Sequence, residues 1–168
     1  MQIEPDIFGG NRATVIRSLS PAAWFRYQMG ITQAGGFASQ WYDQSGNARH
    51  LKQTTATNQP AVQGDLSLVF DGVDNFMKCD PFTLNQPFSV ALRTKQVTWT
   101  SSDCIFDGDT ARSALLNQAN VTPQLFMFAG ASAPSTSDLA VGTMGSIIAV
   151  FNGASSLLQI GNNSPASG

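Results

Sequence analysis

Two motifs of the chain contain oxygen-bearing side chains that could bind a metal ion. The first motif is WYDQSGN and the second is FDGVDNF. The candidate ligands are Asp43, Asp71, Asp74 and Asn75. Hard cations such as Ca²⁺ prefer several oxygen ligands, so the motifs predict a calcium site if their turns lie at the same end of the fold. The alternative, which we favour, is that Asp43 and Asp71 accept backbone N–H bonds and fix their own turns.

The chain lacks the residues that catalysis by a nucleophile or by paired carboxylates needs. Glu4 is the only Glu and His50 the only His in the chain. Glycoside hydrolysis requires two carboxylates that face one cleft, and most of the Asp residues lie in turn contexts. Ser45 is not in a nucleophile elbow, and no set of zinc ligands is present. We therefore predict that the protein is not an enzyme, and we interpret His50 as an exposed strand residue.

Exposed aromatic rings could form a different kind of site. Trp99 lies in the polar segment 97–102 (VTWTSS), and Tyr42 is the next candidate. Carbohydrate sites stack aromatic rings on sugar faces, while polar groups bind the hydroxyls. Trp99 and Tyr42 are therefore the predicted ligand-binding residues. The alternative for Trp99 is a place in the core or in an interface, and Trp24 and Trp41 are predicted to lie in the core.

The chain has two cysteines, Cys79 and Cys104. They could form one disulfide if their strands are neighbours. The alternative, which we favour, is that both are small buried side chains, because Cys ranks among the most buried residue types.

Short strands are the elements that would position these side chains. Apolar and polar residues alternate over short runs that are separated by turn residues, without a long segment of helical periodicity. This pattern predicts an all-β fold, an antiparallel β-sandwich or jelly roll. Asn152 and Gly153 predict a hairpin between the last two strands, and residues 30–36 predict a loop. The predicted strands are 20–27, 37–42, 49–53, 66–70, 87–94, 104–108, 113–117, 125–129, 145–151 and 157–161.

The alternation also predicts which side chains face the interior. Leu66, Leu68 and Phe70 are expected to face inward on one strand. On another strand, Phe88, Val90 and Leu92 are expected to share a face; the two sets of side chains would then contribute to the core.

The composition limits the partners of the chain. Charged residues make up only 12% of the 168 residues, against about 25% in an ordinary soluble domain. The formal net charge is -2, and the basic residues are scattered, so there is no basic stripe that would bind nucleic acid. No apolar run is long enough to span a membrane. We expect a virion or extracellular protein without a recognisable signal peptide.

The first residues of the chain differ from the remainder. Residues 1–19 mix Pro5, Gly9 and Gly10 with isolated aliphatic residues and show no clear period. They predict an N-terminal extended arm, and residues 20–168 predict one β-sandwich domain.

The two motifs together resemble those of the concanavalin A-like, laminin G-like jelly-roll domains of the lectin/glucanase superfamily. Those domains often contain W-x-D-x-S-G-N followed by F-D-G-x-D-D, and the similarity covers about residues 21–160. The resemblance implies a jelly roll, and related laminin G-like and pentraxin-like domains bind calcium near such loops. It says less about function, because the family includes carbohydrate binders, adhesins, hydrolases and virion appendages.

The end of the chain departs from the pattern of that family, whose domains usually close one sheet with a further apolar strand. Here residues 162–168 (NNSPASG) are polar. The domain is then trimmed, or the chain continues, or a neighbouring subunit covers an open sheet edge. An open edge favours a homo-oligomer.

Two functions from different classes follow. The preferred one is a non-enzymatic structural protein of an extracellular or viral particle, such as a phage virion decoration, fibre or tail component, with further copies or other virion proteins as partners. The alternative is a carbohydrate-binding, lectin-like module. No cofactor is expected, apart from the calcium considered above.

Overall fold

The computed structural model describes residues 12–110, 114–119, 121–130, 132–134 and 139–167. The chain forms two compact units, Met1–Asp80 (unit 1) and Pro81–Gly168 (unit 2). The sequence indicates no boundary at residue 80, and the single domain predicted for residues 20–168 stays a prediction. In the described residues the structure is mostly β, with antiparallel sheets and one α-helix, so the all-β class is confirmed.

The α-helix lies near the start of unit 1. Helix α1 spans Arg12–Ser18. The prediction of an extended arm over residues 1–19 is wrong for these seven residues, and residues 1–11 lie outside the described part of the chain. Residues 12–18 contain neither Gly nor Pro, the two residue types that most disfavour a helix. The Gly and Pro residues of segment 1–19 all lie before residue 12.

Unit 1 contains five short strands in one antiparallel sheet. The sheet has the order β1-β2-β4-β5, and β3 also pairs with β2. Gly35 and Gly36 join β1 to β2 with φ angles of 59° and 84°, as a type I′ hairpin turn requires. The loop predicted at residues 30–36 thus contains β1. The strands are β1 (Ile31–Ala34), β2 (Phe37–Trp41), β3 (Leu51–Lys52), β4 (Ala61–Val62) and β5 (Leu68–Val69).

Two strand predictions in unit 1 need correction. The strand predicted over residues 20–27 is wrong, because side chains and a turn, rather than a neighbouring strand, bind the backbone of this segment. The strand predicted over residues 66–70 is two residues long. Leu66 has a φ of 60° and lies in a turn, where its N–H donates to the Gln63 carbonyl at 2.8 Å. Leu66 and Phe70 are exposed, so the prediction that they face inward is wrong.

Unit 1 buries few apolar side chains. In its described part, the apolar residues that are buried are Ala38 and Pro60. The polar residues Asp43 and Gln53 are buried as well. Hydrogen bonds to these polar groups therefore replace much of the apolar core that a larger unit would have.

Unit 2 contains two four-stranded antiparallel sheets. One has the order β10-β9-β8-β7 and the other has the order β13-β12-β11-β6. The turn after β11 begins at Asn152 and Gly153 and leads into the antiparallel partner β12, so the predicted hairpin is confirmed. The strands are β6 (Phe88–Lys95), β7 (Cys104–Phe106), β8 (Leu115–Gln118), β9 (Leu125–Phe128), β10 (Ser132–Pro134), β11 (Met144–Phe151), β12 (Leu157–Ile160) and β13 (Ala166–Ser167).

One apolar cluster joins the two sheets of unit 2. Leu116 and Met127 come from one sheet, and Ile147, Phe151 and Leu158 come from the other. Alternate residues of β6, which are Phe88, Val90 and Leu92, pack against this cluster, so their predicted shared face is confirmed. Unit 2 is thus sandwich-like, with two sheets around one core. No helix in the described residues is long and apolar enough to cross a membrane.

Phe151 tests how much unit 2 depends on this core. Its ring is fully buried and stacks on Phe88 with the centroids 4.7 Å apart. We expect Phe151→Ala to lower the free energy of unfolding by about 3–5 kcal/mol, because it leaves a cavity. Urea denaturation followed by circular dichroism measures the change. Val121→Ala, at a position exposed by 61%, should change the stability by less than about 0.5 kcal/mol; equal effects would contradict this account of the core.

Candidate functional site

The first motif forms a turn that is held by the carboxylate of Asp43. Its Oδ1 accepts hydrogen bonds from the N–H groups of Trp24 and Ser45, each at 2.8 Å. Its Oδ2 accepts from the Ser45 hydroxyl at 2.7 Å and from the Arg49 N–H at 3.1 Å. Asp43 therefore binds its own turn and also the segment around Trp24, nineteen residues earlier.

Other residues of the first motif bind the same earlier segment. The Asn47 side chain donates to the carbonyls of Pro21 and Ala22, and the Arg49 guanidinium also donates to the Ala22 carbonyl at 2.7 Å. The Trp41 indole N–H donates to the carbonyls of Arg26 and Met29. These bonds satisfy the backbone of a segment that has no strand partner.

The charge of Asp43 is stabilised in this arrangement. Burial alone would raise the pKa of Asp43, but the hydrogen bonds from Ser45, Trp24 and Arg49 outweigh it and hold the pKa below its ordinary value.

On the other side of the turn, the Asp43 N–H donates to His50 Nδ1 at 3.2 Å. His50 is half-buried, with its ring 4.8 Å from that of Tyr42, so it is not the exposed strand residue that the sequence predicts.

The second motif forms a separate turn that is held by Asp71. Its Oδ1 accepts from the N–H groups of Val73, Asp74 and Asn75, at 2.9, 3.3 and 3.2 Å. The Asn75 side-chain oxygen accepts from the Asp71 N–H in return. The hydrogen bond from the Val73 N–H lowers the pKa of Asp71; desolvation opposes it, and the further bonds from Asn75 and Asp74 keep the pKa below its ordinary value. The chain bends back on itself around one carboxylate.

Neighbouring segments of unit 1 fix the end of this turn. The Asn58 side chain donates to the Asp74 carbonyl at 3.1 Å, and the Phe76 N–H donates to the Asn58 carbonyl at 3.2 Å. The buried Gln53 side chain donates to the Phe76 carbonyl at 3.1 Å. The turn is therefore held by its own carboxylate and by the segment from Gln53 to Asn58.

These contacts decide how the four candidate metal ligands are used. Among the described residues, no group of three or more His, Cys, Asp or Glu side chains could hold a metal ion. The structure therefore does not bring Asp43, Asp71 and Asp74 together. Asp43 and Asp71 each accept several backbone N–H bonds, as the structural interpretation of the motifs predicts. The remaining candidate, Asn75, bonds back to Asp71.

The same turn displays three apolar side chains, which the sequence analysis does not identify as a site. Val73 at its tip is 87% exposed, and Phe70 and Phe76 on its two sides are each 46% exposed. We call Phe70, Val73 and Phe76 the apolar loop. In the sequence, the signal for this loop is an Asp in a turn that is flanked by apolar residues. The alternation of apolar and polar residues over 66–70 predicts instead that Phe70 faces inward. Exposed aromatic and aliphatic side chains on a fixed turn are suited to bind another protein surface.

The two predicted ligand-binding aromatics lie in different settings. Tyr42 is 43% exposed, beside His50 in unit 1. Trp99 in unit 2 is half-buried, and its loop is held by the buried Gln118. Gln118 accepts from the Thr100 N–H at 2.7 Å and donates to the Thr98 carbonyl at 3.0 Å. Trp99 is thus fixed between two bonded neighbours. A buried glutamine within a strand is a signal that the sequence analysis does not use.

Both cysteines are free thiols. Cys79 is half-buried and Cys104 is exposed, so the prediction that both are buried side chains is wrong for Cys104 and holds only in part for Cys79. Burial raises the pKa of each thiol, and nearby aspartates raise that of Cys104 further. Neither thiol is therefore activated as a nucleophile.

Asp43→Ala tests whether this carboxylate holds unit 1 together. The substitution removes the acceptor of four hydrogen bonds, and a bond to a charged group contributes about 1.5–3 kcal/mol net of its exchange with water, but such contributions do not add within one network. We expect the free energy of unfolding of unit 1 to fall by about 2–4 kcal/mol, measured by urea denaturation with tryptophan fluorescence. Asp74→Ala, at an exposed position of the second motif, is the control, and the same loss in both variants would argue against Asp43 as the anchor.

The pH dependence of stability provides an independent test of Asp43. Because the folded-state pKa is lowered, the stabilisation is fully present above the unfolded pKa of about 4 and is lost as the pH falls through the folded value. We expect the wild-type chain to lose stability as the pH falls below about 4. Asp43→Ala should show a smaller loss over the same range, and an unchanged pH profile would contradict the assignment.

Comparison with protein-family models, with curated proteins and with solved structures found no match.

Proposed function

We propose that the chain is a non-enzymatic structural subunit of an extracellular or viral particle, such as a phage virion decoration, fibre or tail component. It associates with further copies of itself or with other virion proteins through the apolar loop of unit 1. Its sandwich is of the jelly-roll, concanavalin A-like type that the two motifs resemble. The observation that carries the proposal is the apolar loop, exposed on a turn that Asp71 holds in place.

The energetics of the apolar loop favour association. Fully burying an aromatic or aliphatic side chain contributes roughly 1.5–3 kcal/mol. Binding also costs the ordering of the residues at the interface, and a loop that is already ordered avoids most of that cost. The three N–H bonds to Asp71 order the loop before any partner arrives. A few such side chains can then provide most of the affinity of an interface.

The distribution of exposed apolar residues also supports association through unit 1. Its described part buries Ala38 and Pro60 among its apolar residues. Large hydrophobic residues at ten positions of unit 1 are exposed, and a partner surface would remove them from water. They are Val15, Leu19, Tyr27, Met29, Phe37, Tyr42, Leu66, Phe70, Val73 and Phe76.

The low charge of the chain suits a densely packed assembly. With 12% charged residues and a net charge of -2, neighbouring copies repel one another weakly. Interfaces between proteins are depleted in charged residues at their centre. A polar and weakly charged surface is thus consistent with contacts to many neighbours.

A carbohydrate-binding module is the second candidate function, and the loop of Trp99 favours it. Gln118 binds the backbone of the residues on both sides of Trp99, so the backbone that carries the ring is held before a sugar arrives. A preorganised aromatic ring is what stacking on a pyranose requires. Trp99 is half-buried, which leaves part of its surface for such a contact.

The apolar loop can be tested by light scattering of the purified chain over a range of concentrations. We expect a discrete oligomer for the wild type. The triple variant Phe70→Ser, Val73→Ser, Phe76→Ser should dissociate at least about tenfold more readily, because it loses apolar area worth more than 1.4 kcal/mol.

The matched control for this experiment carries Ser at three exposed valines of unit 2, which are Val97, Val121 and Val141, and it should associate as the wild type does. Val73→Asp is a second test that leaves both phenylalanines in place and should also dissociate the oligomer. A wild-type chain that is monomeric at every concentration, or equal dissociation of the control, would contradict the proposal.

Trp99→Ala tests the carbohydrate-binding alternative. If the chain binds a glycan, the substitution should weaken binding by about tenfold or more, because a stacked aromatic ring contributes about 1–2 kcal/mol. A glycan screen followed by titration of the best sugar measures the effect. Tyr42→Ala provides a comparison at the other candidate ring. Absence of glycan binding by the wild type would exclude this function.

A further inference from the structure

The turn after β11 contains the only Asn-Gly pair of the sequence, Asn152 and Gly153. In such a pair the backbone nitrogen of the glycine can attack the side-chain amide of the asparagine, because glycine has no Cβ that would hinder the approach. Asn152 is exposed and Gly153 is half-buried. A reaction at this pair would change the turn that connects β11 to β12, two strands that contribute to the core of unit 2.

Hydrogen bonds to two serines hold most of the backbone of this pair. The Asn152 N–H donates to Ser156 Oγ at 2.9 Å, and the Asn152 carbonyl accepts from the Ser155 N–H at 3.0 Å. The Gly153 carbonyl accepts from the Ser156 hydroxyl at 2.7 Å and from the Ser156 N–H at 3.2 Å. Because Ser156 is only 2% exposed, this part of the turn is anchored on a buried side chain.

The remaining backbone donor of the pair, the Gly153 N–H, has a partner that is distant in the sequence. It donates to Gln86 Oε1 at 2.6 Å, across 67 residues. The Gln86 side-chain nitrogen donates in turn to the Ala129 carbonyl at 3.4 Å. Gln86 is exposed, so water competes for the Gly153 N–H and the bond opens transiently. The nitrogen that could react is thus held by a hydrogen bond that solvent can reach.

Deamidation of the pair would begin at this nitrogen. The Gly153 nitrogen loses its proton to a base in the solvent and attacks the side-chain amide carbon of Asn152. A new C–N bond closes a succinimide ring, the C–N bond to the side-chain amide group breaks, and ammonia leaves with a proton from water. A water molecule then opens the ring at either carbonyl and gives aspartate or isoaspartate. Gln86 opposes the first step, because Oε1 is an acceptor and can bind only the protonated nitrogen.

We propose that Asn152 is a site of spontaneous deamidation in the folded chain, and that the hydrogen bond from Gly153 to Gln86 sets the rate of the reaction. While the bond is closed, the Gly153 nitrogen keeps its proton, and each opening exposes the nitrogen to base. Either product adds a negative charge to the turn, and isoaspartate also inserts a methylene group into the main chain. This modification is independent of association through the apolar loop.

Mass spectrometry of proteolytic peptides measures the reaction after incubation of the full chain in a mildly alkaline buffer. A synthetic peptide with the sequence of residues 149–157 provides the rate without the fold. We expect Asn152 to react more slowly in the wild type than in the peptide. Gln86→Ala should react about fivefold faster than the wild type, the factor expected when one hydrogen bond of ordinary strength no longer opposes the reaction. Isoaspartate should appear among the products.

Two further variants separate the Gln86 bond from a general loss of stability, with circular dichroism to verify that each is folded. Gln86→Glu keeps an acceptor for the Gly153 N–H but loses the donor to Ala129. Val90→Ala removes contacts with the core in the same sheet and leaves the Gln86 bond in place. Both should react as slowly as the wild type.

Three results would overturn the proposal. The first is the same rate at Asn152 in the wild type and in Gln86→Ala, including no reaction in either. The second is a rate in Gln86→Glu or Val90→Ala as high as that in Gln86→Ala, because the acceptor would then not be what matters. The third is aspartate without isoaspartate, which would exclude the succinimide and with it the attack by the Gly153 nitrogen.

Discussion

The carboxylate of Asp43 accepts four hydrogen bonds, and through them the segment around Trp24, the turn at Ser45 and the approach to β3 at Arg49 meet at one point. None of these segments is long enough to bury much apolar surface by itself. A single charged acceptor can still organise them, since it satisfies several backbone donors at once and favours its own ionised form in doing so. The remaining bonds of the first motif, from Asn47, Arg49 and Trp41, act on the same earlier segment.

The two units are stabilised in different ways. Unit 1 relies on bonds between side chains and backbone, and many of its large apolar residues stay exposed. Unit 2 has two sheets that share an apolar cluster, with Phe151, Leu116 and Met127 at its centre. Stability that rests on an apolar core is little affected by pH, whereas stability that rests on ionised carboxylates falls in acid. The two units should therefore respond differently to the same change in conditions.

Strands with strict alternation could be predicted from the sequence, and irregular segments could not. The strand β6 alternates over eight residues, and its inward residues Phe88, Val90 and Leu92 were identified correctly. The segment 20–27 has the composition of a strand, but side chains and the Gln44 N–H, all distant in the sequence, bind much of its backbone. At Leu66 a positive φ in a turn overrides the alternation. Local sequence patterns contain no information on hydrogen-bond partners that are distant in the sequence, or on a residue that adopts a positive φ.

The candidate site was predicted in part. The two motifs were identified, and the structural role of Asp43 and Asp71 follows from the tendency of Asp to bind nearby N–H groups. The apolar loop was missed because alternation assigns Phe70 to the interior, and exposure depends on what covers a residue in three dimensions. The role of Gln118 was missed for a related reason, since its partners Thr98 and Thr100 lie about twenty residues away.

The second motif separates the residues that hold a turn from those that the turn displays. Asp71 and Asn75 set the backbone conformation through bonds to main-chain groups. The side chains of Phe70, Val73 and Phe76 take no part in those bonds and are exposed. Substitutions at the three displayed positions remove none of these main-chain bonds, so the surface that the turn presents can change while Asp71 still sets the backbone. The same property makes it a natural position for grafting a new binding sequence.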